Sequence, residues 1–208
     1  MSKESQIPPW VSVEATKALN QATAEGESQK IEFKEIVPSN GHDLAKEIAA
    51  FATSGGGKIY IGVAKTGVVI GLEAVETSEA REQLCDRIQG IAASGVVPAV
   101  RNVISTFASD DGKHAILIDV PKQNAPIYYV SHKPYLRDGA LSRPATPEEV
   151  IDLVWSHGSS AHRRKLEELK EKMFEQQLES QAKHDEEARE MLRSFHETNE
   201  RIRSRYIP

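Results

Sequence analysis

Apolar residues in this chain recur at two spacings, and the places where the spacing changes mark out its elements. After the Pro8-Pro9 break, the pattern from Val13 to about Ala24 is helical. Ile31 and Phe33 then alternate with Lys30, Glu32 and Lys34, which predicts a half-buried strand that presents its charges on one face. Beyond the Pro38-Ser-Asn-Gly41 turn, Leu44, Ala45, Ile48, Ala49 and Ala52 fall at helical spacing. They predict a helix from Asp43 to Phe51 with one buried stripe, ended by Gly55-Gly56-Gly57. Ile59 to Val63 reads as a strand, and Ala64-Lys65-Thr66-Gly67 as a hairpin turn into Val68-Val69-Ile70. Thr77 to about Ala92 is again helical. Val100 to Phe107 and His114 to Val120 form a second strand pair around Asp110-Asp111-Gly112. Thr146-Pro147-Glu148-Glu149 is a capping box with proline at the first helical position, so a helix starts there and runs through Trp155.

Strands and helices interleave without a strict β-α-β repeat, and two hairpins imply antiparallel pairing. The expected fold is α+β, a mixed and largely antiparallel sheet with packed helices, followed by a long C-terminal helix. Three parts are expected: an N-terminal segment and helix over 1–24, a domain over 25–156, and a charged helical tail over 157–208. In the tail, Leu166, Leu169 and Met173 follow a 3,4 spacing, as do Ala188, Leu192, Phe195, Asn199 and Ile202. The two runs are out of phase, so a coiled coil built on them must shift register near the middle. Opposite charges are interspersed there, as in Lys165-Leu-Glu-Glu-Leu-Lys170, which suits pairing along one helix. The alternative is a single exposed helix or a partly frayed one.

Composition narrows the classes. The 208 residues are 39% apolar and 27% charged, which allows one domain with an appendage or two small domains. The single cysteine, Cys85, excludes an internal disulfide and any zinc site built from several thiols. No apolar run approaches the roughly 20 residues that span a bilayer, and Met1-Ser2-Lys3-Glu4-Ser5 leads into no apolar segment. A soluble protein of the reducing cytoplasm, with no membrane partner, is expected. A net charge of -5 argues against a uniformly basic coat, while a local basic groove stays open. The histidines have no ligand spacing, so no zinc is assigned.

The glycine cluster invites a phosphate-loop reading that its spacing denies. A Walker loop needs glycine five residues before Gly57 and a hydroxyl residue after Lys58, where this chain has Ala52 and Ile59. A dinucleotide fingerprint follows a strand and opens a helix, and this cluster does the reverse. A helix C-cap and tight turn fit it, with an anion nest as the alternative.

The stretches Glu27-Ser-Gln-Lys-Ile-Glu-Phe-Lys34, Asp43-Leu-Ala-Lys-Glu-Ile-Ala-Ala-Phe-Ala-Thr-Ser-Gly-Gly-Gly57, Ile59-Tyr-Ile-Gly-Val63 and Val69-Ile-Gly-Leu72 together resemble the Schlafen-type AlbA_2 domain. Lys133-Pro-Tyr-Leu-Arg-Asp-Gly139 and Ala145-Thr-Pro-Glu-Glu149 resemble its closing segment, so the likeness covers roughly residues 20 to 155. The resemblance implies an α+β domain that binds DNA or RNA and, in the Schlafen proteins themselves, a metal-dependent endoribonuclease acting on structured RNA. The nuclease form uses three carboxylates. Glu27 and Glu32 match the first two, and would be both the catalytic acids and the ligands of a Mg²⁺ or Mn²⁺ ion. Hard cations take oxygen ligands, and one there would stabilise charge on the phosphate and activate water. The third acid belongs just after the Ile-Gly-Val strand, and Ala64 and Lys65 stand there instead. An ammonium repels a metal ion, so this departure weighs against catalysis, with Asp119 on a neighbouring strand as a candidate replacement. Without cleavage no cofactor is expected, and Glu27 and Glu32 are then solvated acids paired with Lys30 or Lys34.

Binding needs cations. Lys34, Lys58, Lys65, Lys133, Arg137 and Arg143 sit in or beside the family motifs and are the candidate phosphate contacts. Tyr128, Tyr129 and Tyr135 lie among them as candidate stacking platforms or as half-buried strand residues. Three functions follow. The first is a nucleic-acid-binding module made a homodimer or higher oligomer by residues 160–205. The second is a metal-dependent endoribonuclease of tRNA-like RNA. The third is an oligomeric scaffold with no nucleic-acid role.

Overall fold

The computed structural model describes residues 8–206. Its elements, in chain order, are α1 (Val13–Glu25), β1 (Ile31–Lys34), α2 (Gly41–Thr53), β2 (Gly57–Ile61), a single 3-10 turn (Glu73–Val75) and α3 (Ser78–Ser94). There follow β3 (Ile104–Asp110), β4 (Lys113–Val120), β5 (Tyr128–Val130), β6 (Lys133–Asp138), β7 (Leu141–Pro144) and α4 (Pro147–Tyr206). Four strands form one sheet in the order β1-β2-β4-β3, and three form a second in the order β5-β6-β7. The fold is α+β, as the sequence pattern predicts. All strand pairs are antiparallel except β1–β2, which α2 joins as a parallel crossover.

Local chemistry sets the helix ends. Ser12 accepts from the Ala15 N–H, Asn40 from the His42 N–H and Thr77 from the Ala80 N–H, so each helix starts on a polar cap. The predicted capping box forms reciprocally at α4: the Glu149 carboxylate accepts from the Thr146 N–H at 2.8 Å, and the Thr146 hydroxyl from the Glu149 N–H at 3.3 Å. Pro147 stands at the first helical position. The glycine cluster turns the chain from α2 into β2. Gly55 and Gly56 both have φ +86°, and a Cβ at Gly56 would lie 2.7 Å from the Val120 carbonyl. Gly57 has an ordinary φ but no room, because the Phe51 ring occupies the place of a Cβ.

The larger sheet is covered on both faces. Residues along β1 alternate, and rows across the strands share a face: Phe33, Tyr60 and Leu117 on one side, Glu32, Ile59 and Ile118 on the other. The first row packs with Leu19, Ala15 and Ala22 of α1. The second faces a larger core that includes Leu44, Ile48 and Phe51 of α2 and Ile88 of α3. Trp10 ties the start of α1 down, with its ring edge-on to Phe107 and the Arg81 guanidinium 4.2 Å over its face.

Several expectations change. The charged face of β1 is not solvated, because α2 covers it and leaves Glu32 6% exposed. Val68 to Ile70 forms no strand beyond a lone bridge between Val63 and Val69, and both Val68 and Ile70 are exposed. The strand expected from Val100 begins only at Ile104, after Asn102 takes a left-handed φ of 58°. The chain divides into the units Met1–His157 and Gly158–Pro208. α4 runs across that division as one helix, uninterrupted at Gly158. In the coiled-coil pattern, Ala188 and Leu192 are exposed. The side chains of Leu166, Leu169, Met173, Phe195, Asn199 and Ile202 lie outside the described residues. Among the described residues, no helix is long and apolar enough to cross a membrane.

Candidate functional site

Strand alternation sends Glu32 and Lys34 to the α2 side of β1, where Glu47 of α2 meets them. Lys34 Nζ lies 2.7 Å from one Glu32 oxygen and 2.8 Å from a Glu47 oxygen. Arg137 of β6 approaches from the smaller sheet. Its Nη1 donates to the second Glu32 oxygen at 2.8 Å, to Glu47 at 3.3 Å and to the Ser142 hydroxyl at 3.1 Å. Ser142 in turn donates to Glu47 at 2.5 Å. The Arg137 Nη2 donates to the carbonyls of Ser28 and Ile31, and the guanidinium stacks 4.5 Å over the Phe51 ring. Two carboxylates and two cations are thus interlocked, and the charges balance. Burial works against the Lys34 charge, but its hydrogen bonds to Glu32 and Glu47 outweigh that and hold its pKa above the usual lysine value.

This cluster corrects two binding assignments. The Arg137 side chain is 0% exposed, so it cannot meet a phosphate, and Lys34 is engaged by two carboxylates. The Arg137 Nε is buried without a partner, a cost the five other contacts outweigh. Sequence reasoning missed Glu47 and Ser142, which close the network. The available signal was the helical spacing of α2, which puts Glu47 beside the buried Ile48.

The cluster does not fit a divalent metal. Both Glu32 oxygens are held by cations, and an ion placed between Glu32 and Glu47 would face Lys34 and Arg137. The Glu27 carboxylate is committed as well, accepting from the Phe33 N–H at 3.1 Å. Asp119 cannot replace the missing third acid, because its partner row is Lys58 and Ile31, on the opposite sheet face from Glu32. Ala64 and Lys65 lie in the tight turn closed by the Gly67 N–H on the Ala64 carbonyl. No group of three or more His, Cys, Asp or Glu side chains placed to hold a metal occurs among the described residues.

The remaining predicted cations are dispersed. Arg143 is held by Asp138 at 2.8 Å and by Glu149 at 2.7 Å; its hydrogen bond pulls the Glu149 pKa down to about 2. Lys65 and Lys133 are exposed at two separate turns. Lys58 is half-exposed in a cleft of 430 Å³ beside the glycine turn, together with Lys30, Lys122, Glu25 and Asp119. The glycine turn closes the helix as a C-cap: the Ser54 N–H donates to the Ala50 carbonyl at 3.0 Å and the Gly56 N–H to the Phe51 carbonyl at 2.7 Å, while the Lys30 ammonium caps the Ser54, Gly55 and Gly56 carbonyls at 3.1, 3.1 and 2.8 Å. Tyr128 and Tyr135 are buried in the core and unavailable for stacking, while Tyr129 is half-buried.

Comparison with known proteins adds a family. The family model described as Schlafen, AlbA_2 matches residues 27–146. No curated protein matches the chain. Among solved structures, the DIP2311 protein from Corynebacterium diphtheriae is 23% identical with a TM-score of 0.48, over 68% of this chain and 27% of that one. The N-terminal domain of a protein described as related to the ATP-dependent DNA helicase RecG, from Nitrosomonas europaea, is 24% identical with a TM-score of 0.37. That likeness covers 52% of this chain and 72% of the other.

Proposed function

The chain belongs to the Schlafen AlbA_2 family, and from this we propose that it binds DNA or RNA by its phosphates and does not cleave it. The observation that carries the second half is the closure of Glu32: one oxygen on Lys34, the other on Arg137, and α2 packed over both. An acid so neutralised neither holds a metal ion nor takes a proton from water. Binding then rests on the cations that the cluster leaves over, namely Lys58, Lys65 and Lys133, with Lys30 and Lys122 near Lys58. Contacts of this kind read backbone rather than bases and release counterions. The α4 helix beyond residue 160 serves to pair two copies, so that each copy's weak contacts add.

The test is fluorescence anisotropy with labelled tRNA, single-stranded DNA and duplex DNA at two salt concentrations, with and without Mn²⁺. Affinity falls steeply with salt, and Lys58→Ala, Lys65→Ala and Lys133→Ala together flatten the log–log slope by about 2 to 3. An affinity indifferent to salt ends the proposal and favours the scaffold reading. Chelator-sensitive cleavage of tRNA that Glu32→Ala abolishes replaces it with the nuclease reading. Sedimentation of a chain ending at His157, set beside the full chain, tests the pairing role of the helix.

A further inference from the structure

A hollow in the domain lies away from the acid cluster, and its lining has one sign of charge. It has a volume of 820 Å³, within the roughly 300–1,000 Å³ range of small-molecule sites. The N-terminus of α2, one face of α3 and the turn between β5 and β6 enclose it. One guanidinium, Arg87, and two imidazoles, His42 and His132, line it, and no carboxylate does. The cleft beside the glycine turn carries Glu25 and Asp119, and a third hollow near Gly112 carries Glu35, Glu73 and Glu76. The absence of acid here therefore sets this cavity apart.

Three details show how the lining is arranged. Arg87 Nη2 donates to the Pro38 and Ser39 carbonyls, which anchors the guanidinium at the cavity while its Nη1 and Nε donors take no part in those bonds. His132 sits in a two-residue hairpin loop, where Ser131 and His132 both adopt positive φ, 47° and 65°. Such a loop favours Asn-Gly, so the conformation works against the residues present, and what it holds at the cavity is an imidazole. Gly90 lies inside α3, where glycine is the poorest helix former except proline. A Cβ there would meet nothing within 4 Å, so packing does not explain the glycine, and the space it leaves belongs to the cavity rim.

Strand β5 supplies a tyrosine to the lining. Tyr129 lines the cavity, and its backbone is fixed by hydrogen bonds to Val97 in both directions, at 2.7 and 2.9 Å. A phosphate finds donors at Arg87, His42 and His132, and a planar ring attached to it can lie on the tyrosine. We propose that this cavity binds a nucleoside monophosphate unit, phosphate toward Arg87 and His132 and base toward Tyr129. The unit is either a free mononucleotide or the phosphorylated end of a single strand; the second source rests on the nucleic-acid reading above.

Isothermal titration of the full chain tests this with AMP, adenosine and inorganic phosphate as probes. AMP binds, and each fragment alone binds at least about tenfold more weakly, because each keeps only one half of the contacts. Gly90→Phe fills the rim and lowers AMP affinity at least about tenfold without lowering the melting temperature, since the side chain enters open space and glycine leaves a helix. His132→Asp keeps a residue that tolerates the turn, replaces the donor with a carboxylate that repels phosphate, and weakens AMP at least several-fold. Competition by a 5′-phosphorylated oligonucleotide, and not by its 5′-hydroxyl form, identifies the strand end as the source; no competition by either identifies the free nucleotide. Failure of AMP to bind, or binding that both variants leave unchanged, overturns the proposal. Salt-sensitive strand binding without AMP binding removes this inference and leaves the nucleic-acid reading standing; AMP binding without strand binding does the reverse.

Discussion

The two faces of β1, within one sheet, are closed by opposite means. On the α1 side, Phe33 and Tyr60 pack with Leu19, Ala15 and Ala22, an apolar seal to which the Tyr60 hydroxyl adds a bond to the Ala18 carbonyl and the Ser109 N–H one to the Thr16 hydroxyl. On the α2 side, the next residues along β1, Glu32 and Lys34, are closed by Glu47, Arg137 and Ser142. An apolar seal tolerates imprecision, because each contact is small and undirected. A charged seal does not: remove one member and a buried charge is left without its balance. The same four residues of strand therefore carry a forgiving interface on one face and an unforgiving one on the other. The unforgiving face is the one that joins the two sheets, since Arg137 arrives from β6.

Removing Arg137 is the sharpest way to break that contrast. Arg137→Met keeps much of the volume and deprives Glu32 and Glu47 of their buried counter-charge, and chemical denaturation will record a loss of about 3–5 kcal/mol. A loss under 1 kcal/mol means that the cluster is solvated in solution and its acids are open to a metal ion. On the other face, Leu19→Ala deletes a wholly buried side chain of α1 and costs about 2–5 kcal/mol by cavity formation. The two losses are comparable in size and different in cause. Rescue separates them: Glu32→Gln combined with Glu47→Gln restores part of the stability lost in Arg137→Met, and does nothing for Leu19→Ala.

The same contrast explains what was legible in the sequence. Period-two alternation at Ile31 to Lys34 correctly divides the strand into two faces, and helical spacing places α2 to within two residues at each end. Alternation says which residues share a face and says nothing about whether a helix covers it. Glu32 and Lys34 were therefore readable as a pair and unreadable as buried. Arg137 is more than a hundred residues from Glu32 along the chain, and no local pattern couples them. The family motifs group Lys34, Arg137 and Arg143 with the other basic residues, and only the fold distinguishes cations already paired from those at the surface. The cavity was illegible for a related reason. His42, Arg87 and His132 come from three separate elements, and the Ser131-His132 loop carries none of the glycine or asparagine that announces such a turn. The tail is the converse case: composition alone predicts a helix, and α4 runs to Tyr206.

The smallest effect sharpens the comparison from the apolar side. Tyr60 is 2% exposed, and burial, aided by the charges of Asp119 and Glu25, pushes its phenol up to about 12 from an ordinary value near 10. The unfolded chain loses that proton first, so the stability tied to it is complete below pH 10 and is lost as pH rises toward 12. Lys34 acts in the same direction on the other face: its raised pKa means that the charged seal is complete below the ordinary lysine value near 10.5 and weakens as pH climbs through the folded one. Tyr60→Phe separates the two contributions. At pH 7 the variant loses only the hydrogen bond to the Ala18 carbonyl, about 0.5–1.5 kcal/mol. Between pH 10 and 11 the denaturation midpoint of the parent falls faster than that of Tyr60→Phe, and the gap between them closes. A gap that stays constant to pH 11 shows that the phenol titrates normally and that the α1 face admits water. If the midpoint of Tyr60→Phe also stays flat to pH 11, the charged seal contributes nothing to the alkaline loss, and the contrast between the two faces fails at its charged end.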